Sequence, residues 1–153
     1  MEEIEKKVEA IEFINKFPRI DMKFNYITND NEYALFEEGW LNLYKEKKDF
    51  HFNIDVTNII SANIKYAFKL SNFIKFIKKN IKTQYLKYSI IIVNTTFIKY
   101  LLNIIFTISS PVAPVYIINK DDYYVKIHED IKNNKKNRKS NICYSIIILI
   151  NMK

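Results

Sequence analysis

Apolar and polar positions along this chain change period several times, and the changes mark its elements. Ile4, Val8, Ile11 and Ile14 recur at spacings of three and four, which predicts a helix over residues 2–16. Pro18 ends it, closing an N-terminal helical segment, residues 1–18. Ile20, Met22, Phe24 and Tyr26 then alternate with Asp21, Lys23 and Asn25, the pattern of a strand with one buried face. After a polar turn over Thr28–Glu32, residues 34–48 read as a helix with Leu35, Trp40, Leu43 and Tyr44 toward the core. Gly39 is a poor fit to that helix interior.

The second alternating strand is clearer. Phe50, Phe52, Ile54 and Val56 share one face, and His51, Asn53, Asp55 and Thr57 share the other. A long helix follows over Ser61–Lys82, with Ser61 as its N-cap. Ser89–Val93 is an apolar, β-branched run of the kind found in central strands covered on both faces. Thr95 or Thr96 caps a mostly apolar helix that runs to about Ile108. Pro111 and Pro114 frame a turn into the strand Val115–Ile118, and Asp121 and Asp122 open a last helix that reaches about Lys132. The apolar stretch 101–118 has membrane-spanning length, but its polar residues and prolines make it helix, turn and strand.

Strands alternating with helices predict an α/β fold: a mainly parallel four-stranded sheet with right-handed crossovers and helices packed mostly on one face. The 153 residues suit a single domain, placed here at 1–133. Residues 134–153 form a basic linker, with Lys135, Lys136, Arg138 and Lys139, and a short hydrophobic C-terminal segment, Ile142–Ile150.

Composition narrows the function classes. Between Val56 and Lys120 there is no Asp or Glu, while nine lysines occur. Most hydrolytic, metal-dependent and phosphoryl-transfer sites need a carboxylate, so the predicted core is not built as such a site. Gly39 is the only glycine, which removes glycine-rich phosphate loops and the nucleophile elbow. Two histidines and the lone Cys143 match no metal-ligand spacing. The sequence therefore predicts no enzyme, no cofactor and no metal. A single cysteine and an acidic N-terminus point to a cytoplasmic setting, with peripheral attachment to a membrane as a second option.

The charge is polarised: residues 1–58 carry eight basic and thirteen acidic groups, and residues 59–153 carry sixteen and four. A basic half suits an anionic partner, or is only a lysine-rich solvated surface. On a helical wheel of the 61–82 segment, Lys65, Lys69, Lys75, Lys79 and Lys82 share one arc with Phe68 and Phe76. Such a face resembles a membrane-surface helix, or a stacking platform for nucleic-acid bases, or it is covered by a neighbouring element. The strand ends supply a second candidate group: Asp55, Thr57, Asn58 and Ser61 after one strand, and Asn94, Thr95 and Thr96 after the next. Hydroxyls and amides at helix N-termini bind anions, and they also cap helices.

The stretch from Phe50 to Asn119 resembles the fold shared by STAS domains, of the anti-sigma-factor-antagonist type, and CRAL-TRIO lipid-transfer domains. The likeness rests on the Asp55–Thr57 strand end, the long helix, the Ser89–Val93 strand closing with Asn94, the apolar helix and the short strand to Asn119. A STAS-like resemblance implies a non-enzymatic regulatory module that binds a protein, often switched by phosphorylation near Ser61. A CRAL-TRIO-like resemblance implies a lipid held against the apolar helix. The expected partner is first a protein, then an anionic membrane or lipid, then nucleic acid.

Overall fold

The computed structural model describes residues 9–120. In chain order these form β1 (Ile11–Lys16), β2 (Arg19–Phe24), α1 (Asp30–Lys45), β3 (Phe50–Asp55), α2 (Lys65–Asn80), β4 (Leu86–Val93), α3 (Thr96–Ile108) and β5 (Val115–Asn119). The expected last helix, the basic linker and Ile142–Ile150 lie outside the described residues.

The sheet has five strands in the order β1-β2-β3-β4-β5. β1 and β2 are antiparallel, and every later pair is parallel. The α/β class is therefore as expected, but the sheet is mixed and gains a strand. That strand replaces the predicted N-terminal helix over residues 11–16. Ile14, one of the positions that suggested a helical stripe, is exposed. The pairing with β2, closed by a turn at the cis Phe17–Pro18 bond, satisfies a row of backbone groups that β2 would otherwise leave open. A helical period over four apolar residues is a weaker constraint than that pairing.

Because the parallel strands follow one another in sequence order, right-handed crossovers leave α1, α2 and α3 on the same face. The core confirms this arrangement. Ile20, Met22 and Phe24 of β2, Phe50, Phe52 and Ile54 of β3, Ile91 and Val93 of β4, and Val115 of β5 form one buried cluster with the inner faces of all three helices. The opposite sheet face is polar across β2 and β3. There Asp21 accepts hydrogen bonds from Arg19 at 2.8 Å and Asn53 at 2.7 Å. It turns apolar over β4 and β5, where Ile90 and Ile118 pack with Tyr88, Ile92 and Tyr116.

Helix boundaries follow local chemistry. α1 begins earlier than expected because Asn29 and Glu32 form a capping box: the Asn29 side chain accepts from the Glu32 N–H, and Glu32 accepts from the N–H groups of Thr28 and Asn29. Trp40, Leu43 and Tyr44 are buried as expected, but Leu35 is exposed; Tyr33 and Phe36 take the inner positions. Gly39 has a packing reason. A Cβ there would lie 2.6 Å from Cζ of Phe13, so the β1 side chain rests directly on the α1 backbone. α2 starts at Lys65 and not at Ser61, because Ser61 stays in the loop and Ile64 takes the cap position without a side-chain bond.

Candidate functional site: an apolar cavity beneath two helices

The strand-end residues are held mainly by one another. Asp55 accepts from the Thr57 N–H at 2.9 Å and from the Thr57 hydroxyl at 2.6 Å, which fixes the turn leaving β3. Asn58 donates to the Asn25 side chain, and Asn94 donates to the Thr57 carbonyl, each at 2.8 Å. The loops after β2, β3 and β4 are thereby laced together. Thr95 caps α3 by accepting from the Ile98 N–H. Thr96 and Ser61 are exposed. The structure thus brings Asp55, Thr57, Asn58 and Asn94 together, adds Asn25, and leaves Ser61, Thr95 and Thr96 outside that network.

The basic–aromatic face of α2 has the expected orientation. Phe68 is 50% and Phe76 47% exposed, while Tyr66, Ala67, Ser71, Phe73, Ile74 and Ile77 point inward. α2 ends at Asn80, so Lys82 of the expected arc lies just past the helix, and Lys78 donates to the Ser110 hydroxyl at 2.6 Å. Lys65 and Lys69 reach back to Asp30 in the first turn of α1, at 3.2 and 3.1 Å. Hydrogen bonds from Lys69 and Lys65 hold the Asp30 carboxyl below the ordinary aspartate range. The same ammonium groups lie over the rings of Tyr66 and Tyr33, which stack on each other. Lys75, Lys79 and Lys82 are exposed and pair with no acid among the described residues.

Under this layer lies a partly enclosed cavity of about 160 Å³. Its floor is the sheet, through Phe24, Ile54, Ile91 and Val115. Its roof is α2 and α3, through Tyr66, Ala67, Leu70 and Ile74 and through Ile98, Leu101, Leu102 and Ile105. Tyr33, Phe36 and Trp40 of α1 close one side, and loop residues Ile59, Ala62, Val112 and Ala113 close the ends. The wall is almost wholly apolar. Well-packed interiors hold few voids larger than a water molecule, and an apolar void of about 150 Å³ stays dry and can bind benzene.

Three buried side-chain groups on residues around this cavity lack a hydrogen bond of good geometry: Tyr33 Oη, Trp40 Nε1, which lies near the Tyr44 hydroxyl, and Tyr66 Oη, which lies near the Lys65 ammonium. Burial raises the Tyr33 phenol far above the ordinary range, and the charge of nearby Glu37 adds to the rise. Glu37 nevertheless does not complete a hydrogen bond of good geometry to that phenol. All three groups can donate.

The sequence did not single out this cavity. The available signal was the placement of small side chains. Of five alanines in the chain, Ala62, Ala67 and Ala113 line the void, where bulkier groups would fill it.

Among the described residues no group of His, Cys, Asp or Glu is placed to hold a metal, and no helix is long and apolar enough to cross a membrane. No protein-family model matches the chain, and comparison with curated proteins finds no match.

Proposed function

We propose that this protein binds a small apolar ligand, of the kind presented by an acyl chain or a hydrocarbon ring, and performs no chemistry on it. The cavity between the sheet and the α2–α3 layer carries this reading. At about 24 cal/mol per Å³, a fully enclosed void of 160 Å³ costs about 4 kcal/mol relative to a filled core, which is the upper bound for this partly open one. Domains of this size retain only about 5–15 kcal/mol in total, so an idle void is an expensive feature. A ligand would recover that loss. The almost wholly apolar wall favours a hydrocarbon portion over a polar one.

The test is direct. The purified protein is extracted and its apolar contents identified by mass spectrometry, and the stripped protein is titrated with medium-chain fatty acids and with an apolar fluorescent probe. Saturable binding that raises the unfolding midpoint is the expected result. The absence of co-purified lipid together with no uptake of either probe refutes the reading.

A non-enzymatic STAS-like module that binds a protein partner is the second reading. Placement of all three helices on one sheet face supports that resemblance. It gives the cavity no role, and for that reason it ranks second.

A further inference from the structure

The described residues of α2 and α3, and the loops beside them from Val56 to Lys120, contain no acidic side chain. Over this length the helix layer of the sandwich is therefore basic or neutral, and Asp30 of α1 supplies the carboxylate for Lys65 and Lys69. Lys75, Lys79 and Lys82 remain directed outward. Among them stand Ile64, Phe68 and Phe76, each about half exposed. Packed beside α2, α3 adds exposed Phe97 and Tyr100. Half-exposed phenylalanines on a monomer surface lose free energy to water, and interleaved lysines keep the surface soluble while attracting anions.

We infer that the outer face of α2 docks on an anionic lipid bilayer. Two features favour a bilayer over other anions. First, the apolar groups are aliphatic and aromatic together: Ile64 has no stacking role on a nucleobase, but it inserts among acyl chains as Phe68 does. Second, the inner face of the same helix forms the cavity roof through Tyr66, Ala67 and Leu70. A helix with one face on the membrane and the other on the cavity gives an apolar ligand a short path between the two. That last step rests on the proposed ligand-binding function, whereas the docking itself does not.

The magnitude follows from the outward groups. A lysine held near an anionic leaflet contributes about 1 kcal/mol, so Lys75→Ala/Lys79→Ala should weaken binding about 30-fold at low salt. Phe68→Ala/Phe76→Ala removes two half-buried rings and should weaken it about tenfold at low and high salt alike. The full-length protein is sedimented with phosphatidylcholine vesicles that do or do not contain phosphatidylserine. Binding only to the phosphatidylserine vesicles, weakened by these factors in the two double variants, is the expected result. Equal binding by wild type and both variants overturns the proposal, as does no vesicle binding at low salt. Tighter, Phe68-dependent binding to single-stranded RNA that vesicles cannot displace also overturns it, in favour of a nucleic-acid surface. Uptake of the apolar probe in solution, measured on the same variants, separates the two proposals. Retained uptake without vesicle binding removes the docking surface alone, and vesicle binding without uptake removes the cavity function alone.

Discussion

Filling the cavity from its roof tests the central argument most directly. Ala67 sits in the first turn of α2, buried, with its methyl group on the void. Ala67→Leu adds three carbons there at little cost in helix propensity. Each buried methylene is worth about 0.8 kcal/mol, so the variant should gain about 2 kcal/mol. The ceiling is the about 4 kcal/mol that a fully enclosed void of this size costs. Urea unfolding reads this gain as a higher midpoint at unchanged slope. The same variant should lose at least tenfold in affinity for an apolar probe, because less of the 160 Å³ remains. Ala34→Leu, on the exposed side of α1, is the control and should change neither quantity. If Ala67→Leu lowers stability by more than about 1 kcal/mol, as overpacking does, and keeps its affinity, then the space beside Ala67 is not a void and the ligand-binding argument fails.

Gly39→Ala should destabilise by about 1–3 kcal/mol despite the better helix former, because the new Cβ meets the Phe13 ring; Phe13→Ala in the same chain should relieve most of the added cost in a double-mutant cycle. Asp55→Ala should cost about 2 kcal/mol by thermal or urea unfolding, through loss of both bonds to Thr57, and should leave apolar-probe affinity unchanged. A large change in probe affinity would move Asp55 from a turn-fixing role to the site. Asp30 carries a pH dependence. Its folded-state pKa lies below the ordinary value of about 3.9, so its contribution is fully present above that value and fades as pH falls through the folded-state value. Because the carboxylate and both lysines are largely exposed, the effect is small, and NMR titration of Asp30 reads it more cleanly than unfolding does. An ordinary titration midpoint for Asp30 would show that the two lysines do not hold it.

Much of the fold was legible because most elements announce themselves locally. The alternation from Phe50 to Val56 and the apolar run Ser89–Val93 each became a strand, and of the two candidate caps, Thr95 and Thr96, Thr95 takes the position. Where the reading went wrong, the deciding force was distant in sequence. Residues 11–16 carry a weak helical period, but their backbone pairs with β2. Leu35 looked like a core residue, yet α1 is rotated so that Tyr33 and Phe36 meet Tyr66 and Phe73. Ser61 resembled an N-cap, but the loop from Val56 instead laces to its neighbours through Asn58 and, from β4, Asn94.

The candidate site divides in the same way. The sequence by itself determined the acid-free basic surface and the amphipathic face of α2, because charge and helical spacing are properties of neighbours along the chain. Only the tertiary structure decided that Lys65 and Lys69 close onto Asp30 while Lys75, Lys79 and Lys82 stay outward. It also decided that Ala62, Ala67 and Ala113, from three separate segments, meet around one void. A cavity is the space left over when elements dock, set by the volumes of side chains far apart in sequence, and no local pattern encodes it.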